Sequence, residues 1–136
     1  MGSWIGEMLS TAAEAAGEEV LAEYGAALSA AARRVEETAA ALGAEAAAGR
    51  IERAMANSVV FLDMCGHVAV AWMWLRMALV AARNLPSSAE TERPFYHGKL
   101  AACRFFYRWE LPKTEAQADL LIGLETTPLE VAEDEF

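Results

Sequence analysis

Asp63 and His67 are the residues best suited to chemistry, and they lie four positions apart in the sequence. On a helix this spacing puts both side chains on one face. A carboxylate beside an imidazole can orient a ligand or move a proton. The structural alternatives are a buried polar pair, which Arg76 could extend into a network, or a His67 that bonds a carbonyl or a water. Since no third catalytic partner lies at an informative spacing, the structural interpretation is favoured.

A metal site would need more ligands than this pair, and the other candidates are Cys65, His97, Cys103 and Glu110. No Glu-x-x-His or Cys-x-x-Cys motif occurs in the sequence. Both cysteines are expected to be small, buried thiols. A glycine-rich phosphate-binding loop is missing as well. The sequence therefore predicts no catalytic, cofactor-binding or metal-binding residue within the chain.

Two tryptophans, Trp72 and Trp74, lie beside Met73 and Met77 and could line a pocket for a flat or apolar ligand. Side chains of this kind at helical spacing more often form a core or an interface. Residues two positions apart on a helix do not share a face. We therefore expect one tryptophan to meet a different neighbour, either another helix or another subunit or domain.

The composition limits the class of partner. The chain has 136 residues, with 11 Lys and Arg against 20 Asp and Glu, and a net charge of −9. Nucleic acids and anionic lipids attract cationic surfaces, so neither is an expected partner. Two cysteines and no recognisable secretion signal predict a cytoplasmic protein. The apolar stretch 59–80 is long enough to span a membrane, but three polar side chains interrupt it, and we expect a buried helix.

Apolar spacing and abundant alanine predict an all-α fold: an antiparallel up-down bundle of three long helices, the third kinked at a proline, with a short fourth element. The long helices are expected at 18–42, ending at Gly43, at 44–84, and from Pro94 onward. The second becomes apolar nearly all round after Asn57, so at least two others should cover it. Pro112 should kink the third helix near residues 109–111.

Helix restarts are predicted by capping-box spacing at Thr11–Glu14 and at Thr114–Gln117. Leu120, Leu121 and Leu124 are expected to enter the core after the second restart. The predicted organisation is a short N-terminal helix or cloning remnant over 1–17, the bundle over 18–124 and an acidic mobile tail over 125–136.

The segment from Phe95 to Phe106, followed by Leu111-Pro112, resembles the C-terminal helical extension of a branch of the acyl-CoA dehydrogenases, the methylmercaptopropionyl-CoA dehydrogenase-like enzymes. The matching positions form an aromatic pair, Lys-Leu-Ala, an Arg, a second aromatic pair and Leu-Pro: Phe95, Tyr96, Lys99, Leu100, Ala101, Arg104, Phe105, Phe106, Leu111 and Pro112. The apolar segment 68–78 is also similar to the helix that precedes this motif in the family. The resemblance spans about residues 18–124, with departures at Cys103 and over 108–110.

The resemblance implies a structural domain of an FAD-dependent flavoprotein, packed on a catalytic body or a dimer partner, with a homo-oligomer expected. FAD, the acyl-CoA and the catalytic Glu of such enzymes belong to an upstream body, so no catalytic residue is transferred to this chain. Whether the chain is an enzyme therefore stays open, with no activity expected of it alone. The candidates for interaction or core packing are Asp63, His67, Trp72, Trp74, Arg76, Phe95, Tyr96, Lys99, Arg104 and Phe106.

Two alternatives remain open from the sequence. The chain could be a free-standing module whose core holds an acyl chain or another apolar ligand among Met55, Leu62, Met73, Phe106 and Tyr107. It could also be an independent enzyme that uses Asp63 and His67, which we rank last.

Overall fold

The computed structural model describes residues 2–135, and over this range the chain is helical and has no strands. This confirms the all-α class. The helices are α1 (Gly2–Ala16), α2 (Ala22–Ala47), α3 (Ile51–Met55), α4 (Ser58–Asn84), α5 (Arg93–Phe105), α6 (Lys113–Ile122) and α7 (Thr127–Glu130). Short 3₁₀ turns follow at Leu85–Ser87 and Glu133–Glu135, and Phe106–Glu110 forms a π-helical turn.

The N-terminal helix is a full member of the bundle. In α1, Ile5, Met8, Ala12 and Ala15 are buried at three- and four-residue spacing, which is the pattern of one helix face packed on a core. Helix α2 returns beside it, so closely that a Cβ at Gly25 would come within 2.7 Å of the Ala12 carbonyl oxygen. The two helices thus form an antiparallel pair that needs glycine at its closest approach.

The central helix α4 contacts α1, α2, α5 and α6. It runs parallel to α1, because Trp72 bonds Thr11 and, nearer the ends of both helices, Arg83 bonds Glu14. Its buried face consists of Met64, Val68, Ala71, Leu75, Ala78 and Leu79. The core of the molecule lies along this face.

The third part of the chain, α5 to α6, runs antiparallel to α4. Tyr107 donates a hydrogen bond of 2.9 Å to the Ala71 carbonyl oxygen, and further along Gln117 donates to Asp63. The interruption between α5 and α6 is a π-helical turn, closed by a bond of 2.9 Å from the Leu111 amide to the Phe106 carbonyl. Pro112 follows this turn as the residue before α6.

The finer prediction of three long helices with a proline kink is not confirmed. The helix predicted at 44–84 is divided into the end of α2, the short α3 and α4. Gly43 lies inside α2, whereas Gly49, with φ of +84°, lies in the turn after it. A positive φ is costly for any residue with a Cβ, so this turn requires the glycine.

The two predicted capping boxes are wrong. Thr11 lies inside α1, where its hydroxyl donates to the Glu7 carbonyl. Thr114 is buried in the first turn of α6 and donates to the Leu111 carbonyl at 2.7 Å. Of the three leucines expected in the core after it, Leu121 is buried, Leu124 is half-buried and Leu120 is exposed. Both hydroxyls bond to carbonyls of the preceding turn, an alternative to capping open to Ser and Thr.

The prediction that at least two other helices cover α4 agrees with its contacts to α1, α2, α5 and α6, but the helix expected to be buried over 59–80 is not buried as a whole. The stretch Ser58–Ser87 is long and apolar enough to cross a membrane by length and composition, yet only 22% of its most apolar window is buried. A core helix of a soluble protein passes the same test of length and composition. One side of α4 is therefore both apolar and open.

The predicted domain bounds at residues 17 and 124 stay predictions.

Candidate interaction surface

A line of exposed apolar residues, with a gap at Gly66, runs along α4 on the side opposite its buried face. We call it the α4 stripe; it consists of Val59, Leu62, Gly66, Val70, Met73, Met77 and Val80. Its six side chains with a Cβ are 37% to 78% exposed. At a rise of about 1.5 Å per residue, the stripe is about 32 Å long. Because its members recur every three or four residues, they form one continuous strip.

Helix α5 and the π-helical turn border one side of the stripe, and each forms an open cleft with one end of it. The Lys99 cleft has a volume of about 570 Å³ and is lined by Met73, Arg76, Met77, Val80, Ala81, Phe95, Tyr96 and Lys99. The Asp63 cleft has a volume of about 420 Å³ and is lined by Val59, Leu62, Asp63, Gly66, His67, Val70 and Phe106. Both clefts are mainly apolar, with charged groups of opposite sign at their edges.

The cations of the Lys99 cleft lie over aromatic rings. The Lys99 ammonium is 5.1 Å from the centre of the Phe95 ring and 5.8 Å from that of Trp74. The Arg76 guanidinium lies 5.6 Å from the centre of the Trp72 ring. These distances suit cation–π attraction. Within residues 2–135, neither Lys99 nor Arg76 forms an ion pair with a carboxylate, so both remain available to an external anion.

In the Asp63 cleft the two residues with catalytic potential do come together. His67 Nδ1 lies 3.5 Å from an Asp63 carboxylate oxygen and 3.1 Å from the Asp63 backbone carbonyl. His67 Nε2 lies 3.5 Å from the Glu110 carboxylate. Lys113 hydrogen-bonds Glu110 and is the main cause of the lowered pKa of that carboxyl. The imidazole is thus held between two carboxylates.

The alternative in which His67 bonds a carbonyl agrees with its 3.1 Å contact to the Asp63 backbone, whereas the buried network with Arg76 is wrong. The Asp63 side chain is 55% exposed, and Arg76 is exposed at the other end of the stripe. The pair therefore lies at the edge of a surface cleft and is no buried polar contact.

The cysteines are poor candidates for a nucleophile. Burial raises the pKa of the Cys103 thiol to about 12 and also raises the pKa of Cys65. The thiolate is the reactive form, and it is scarce at neutral pH for such groups. In the part of the chain that the structure describes, no cluster of three or more His, Cys, Asp or Glu side chains could hold a metal ion.

The two tryptophans lie on different sides of α4, as predicted. The Trp72 indole donates a hydrogen bond of 2.8 Å to the Thr11 hydroxyl of α1. Trp74 lies beside α5, beneath Lys99. Both meet helices of this chain, so neither by itself marks the open surface.

The other candidates separate into groups. Phe95, Tyr96 and Lys99 lie together at the Lys99 cleft, and Phe106 lies at the Asp63 cleft. Arg104 lines a different cleft, which it shares with Val20, Tyr24, His97, Leu100 and Ala101.

The five residues of the predicted acyl pocket do not meet. Leu62 and Phe106 line the Asp63 cleft, Met73 lines the Lys99 cleft and Met55 lines a third cleft between α2 and α3. The Tyr107 ring is buried in the core. An internal cavity for an apolar ligand is therefore not formed by this set.

Sequence reasoning missed most of the α4 stripe and an exposed aromatic pair. Phe105 and Trp109 stack with ring centres 5.8 Å apart, on α5 and the π-helical turn. The stripe had a detectable signal, namely large apolar residues at three- and four-residue spacing on a second face of α4. The stacked pair had none, because its register depends on the π-helical turn.

Comparison with known proteins identifies related sequences. A family model described as "Acetyl-CoA dehydrogenase C-terminal like" matches residues 4–132. The broad-specificity linear acyl-CoA dehydrogenase FadE5 of Mycobacterium tuberculosis (strain ATCC 25618 / H37Rv) is 33% identical over 81 residues. That match covers 59% of this chain and 13% of the relative, so the chain spans only a small part of that protein's length. No solved structure matches the chain.

Proposed function

The chain belongs to the acetyl-CoA dehydrogenase C-terminal-like family, and on this premise we propose that it is a non-catalytic interaction domain of an acyl-CoA dehydrogenase-like protein. Its role is to pack through the α4 stripe against the catalytic body or across a dimer. Oxidation of the acyl-CoA would belong to the body, for which the bound FAD would supply the redox chemistry. We place this protein in the cytoplasm.

The α4 stripe is the observation that carries this proposal. Soluble monomers rarely expose a continuous apolar patch of this length, because such a surface drives association. The charged groups at its ends, among them Lys99 and Asp63, form the polar rim that protein interfaces have around an apolar centre. An interface therefore accounts for both the apolar line and its charged edges.

No residue of this chain is assigned to FAD. The clefts beside the stripe are open grooves with mainly apolar walls, and the sequence has no glycine-rich turn to hold a pyrophosphate. A flavin would find no enclosed site among the described residues. The domain's contribution is to join its α4 stripe to the catalytic body or to a dimer partner, and to shape the entrance to the acyl site of the body.

A second candidate function rests on the Lys99 cleft. Its walls combine Met73, Met77 and Phe95 with the ammonium of Lys99, which suits an apolar chain that ends in a negative group. Native mass spectrometry of the freshly purified chain tests this binding role. A co-purified amphiphile that is lost in Lys99→Ala supports it, and a clean unliganded mass argues against it.

The interaction role predicts that the chain self-associates through the α4 stripe. Leu62→Glu puts a charge in the middle of an apolar contact, so it should shift the chain to monomer while the fold is kept, because Leu62 is exposed. Sedimentation velocity over a concentration series measures the shift. Val20→Glu is the matched control: Val20 is equally apolar and exposed but lies away from the stripe, and this variant should associate like the parent.

Two outcomes would contradict the proposed function. One is an association state that Leu62→Glu leaves unchanged at every concentration. The other is acyl-CoA oxidation by the chain itself, measured with added FAD, a long-chain acyl-CoA and an artificial electron acceptor, since a non-catalytic domain should give no turnover.

A further inference from the structure

We propose that the occupant of the α4 stripe is the α4 stripe of a second copy, packed antiparallel about a two-fold axis that passes between Ala69 and Val70. This inference rests on the proposed function, because it names the partner of the surface assigned there. The argument uses three separate properties of the stripe: its symmetry, a gap at Gly66 and the charges at its two ends.

The stripe reads nearly the same in both directions along the helix. Val59 and Val80, Leu62 and Met77, and Gly66 and Met73 are each centred on the midpoint between residues 69 and 70. In an antiparallel pair with its axis at this midpoint, these six residues lie level with their counterparts in the other copy, and Val70 lies next to the axis. A two-fold interface uses one patch twice, so it requires such self-complementarity.

Gly66 leaves a gap in the stripe that the fold of the chain does not explain. A Cβ at this position would meet nothing within 4 Å, so no neighbouring helix needs the space. Glycine inside a helix destabilises it relative to alanine. In the antiparallel pair the residue level with Gly66 is Met73 of the other copy, a long and adaptable side chain that is exposed in the single chain. The gap and the methionine fit each other.

The charges at the two ends are opposite, and both lie on the α5 side of the stripe. Lys99 borders one cleft and Asp63 borders the other. A two-fold axis across antiparallel helices brings the same side of each copy together, at opposite ends. Lys99 of one copy therefore lies beside Asp63 of the other, and complementary charges favour this register. The hydrocarbon of a bilayer would leave both charges unpaired.

Charge reversal with rescue tests the register. Asp63→Lys and Lys99→Asp each place like charges together, so each should weaken dimerisation of the full chain about tenfold in sedimentation equilibrium. The double variant exchanges the two charges and should recover most of the loss. Arg104→Asp, which changes the net charge of the chain as Lys99→Asp does but lies in a different cleft, should leave dimerisation unchanged.

Filling the gap gives an independent test. Gly66→Leu should raise the melting temperature of the monomer, since leucine favours helix and meets no neighbour, and should weaken dimerisation because it occupies the place of Met73. Gly43→Leu is the matched control. Gly43 also lies inside a helix with open space around its Cβ, and it lines neither cleft of the stripe, so only the melting temperature should rise.

The results separate this inference from the proposed function. Three results would each overturn the antiparallel pairing. They are single charge reversals that do not weaken dimerisation, a double variant that dimerises no better than the single variants, and a Gly66→Leu variant that dimerises like the parent chain. If Leu62→Glu still disrupts association in that case, the stripe remains the contact surface but packs in a different register or against a different surface of the second copy. If Leu62→Glu has no effect either, both proposals fail.

Discussion

At the scale of single residues, Thr11 joins two helices through one hydroxyl. Its Oγ1 donates to the Glu7 carbonyl at 3.1 Å within α1 and accepts a hydrogen bond of 2.8 Å from the Trp72 indole of α4. Thr11 is buried and Trp72 is half-buried, so water has restricted access to the indole N–H. The hydroxyl therefore satisfies a donor that would otherwise be buried without a partner.

Replacing this hydroxyl should destabilise the fold measurably. Thr11→Val keeps the shape of the side chain but removes the acceptor, and the free energy of unfolding should fall by about 1–2 kcal/mol. Urea denaturation followed by tryptophan fluorescence measures it. Thr11→Ser keeps the hydroxyl and should lose clearly less. Equal losses in the two variants would show that the hydrogen bond contributes little.

At this scale the sequence predicts which side of a helix a residue lies on, but not whether its side chain is buried or exposed. Helical geometry alone separates Trp72 from Trp74, and it also places Asp63 and His67 together. Whether a side chain is buried depends on helices distant in the sequence. For that reason the exposure of Asp63 and Arg76 was not predictable, and neither was the use of Thr11 by Trp72.

At the scale of elements, the end of α2 depends on which of two glycines adopts a positive φ. Gly43 and Gly49 both lie near the end of α2 and both are plausible stops in the sequence. Only Gly49 has a positive φ, at +84°, and its turn leads into α3. Gly43 lies within the helix with open space around it. The chain thus continues through one glycine and turns at the other.

Alanine at these two positions should have opposite effects on stability. Gly49→Ala forces a side chain into the left-handed region and should lower the free energy of unfolding by about 1 kcal/mol. Gly43→Ala should raise it by up to about 1 kcal/mol, because alanine is the better helix former and meets no neighbour. Chemical denaturation of both variants checks the pair. A stabilising Gly49→Ala would contradict the assigned turn.

The break between α5 and α6 differs from the predicted proline kink. Pro112 predicts a kink near residues 109–111, because proline removes a backbone donor, but the helix is interrupted by a π-helical turn at Phe106–Glu110. The observed π-helical turn instead depends on the Leu111 amide reaching the Phe106 carbonyl and on burial of Tyr107 against Ala71. Such a turn has no composition signal, so the exposed pair of Phe105 and Trp109 followed only from the structure.

At the scale of the whole molecule, the helices leave one apolar side of the bundle uncovered. The all-α class and the central position of α4 could be predicted from apolar periodicity and composition. The sequence could not predict whether both apolar faces of α4 are covered within the chain. A helix with two apolar faces has the same sequence pattern whether the second face packs on its own chain or on another chain. For this reason the sequence predicts a buried helix over 59–80, whereas one face of α4 is open.

Oxidation of methionines by hydrogen peroxide tests burial of the α4 stripe most directly, in the unmodified chain. Met73 and Met77 lie on the stripe, whereas Met55 is exposed on α3 and serves as an internal control. Peptide mass spectrometry gives the oxidation rate of each residue across a range of protein concentrations. We expect the rates of Met73 and Met77 to fall as the chain associates while that of Met55 stays constant. Rates that remain constant for all three residues, in samples that sedimentation shows to be associated, would contradict the account.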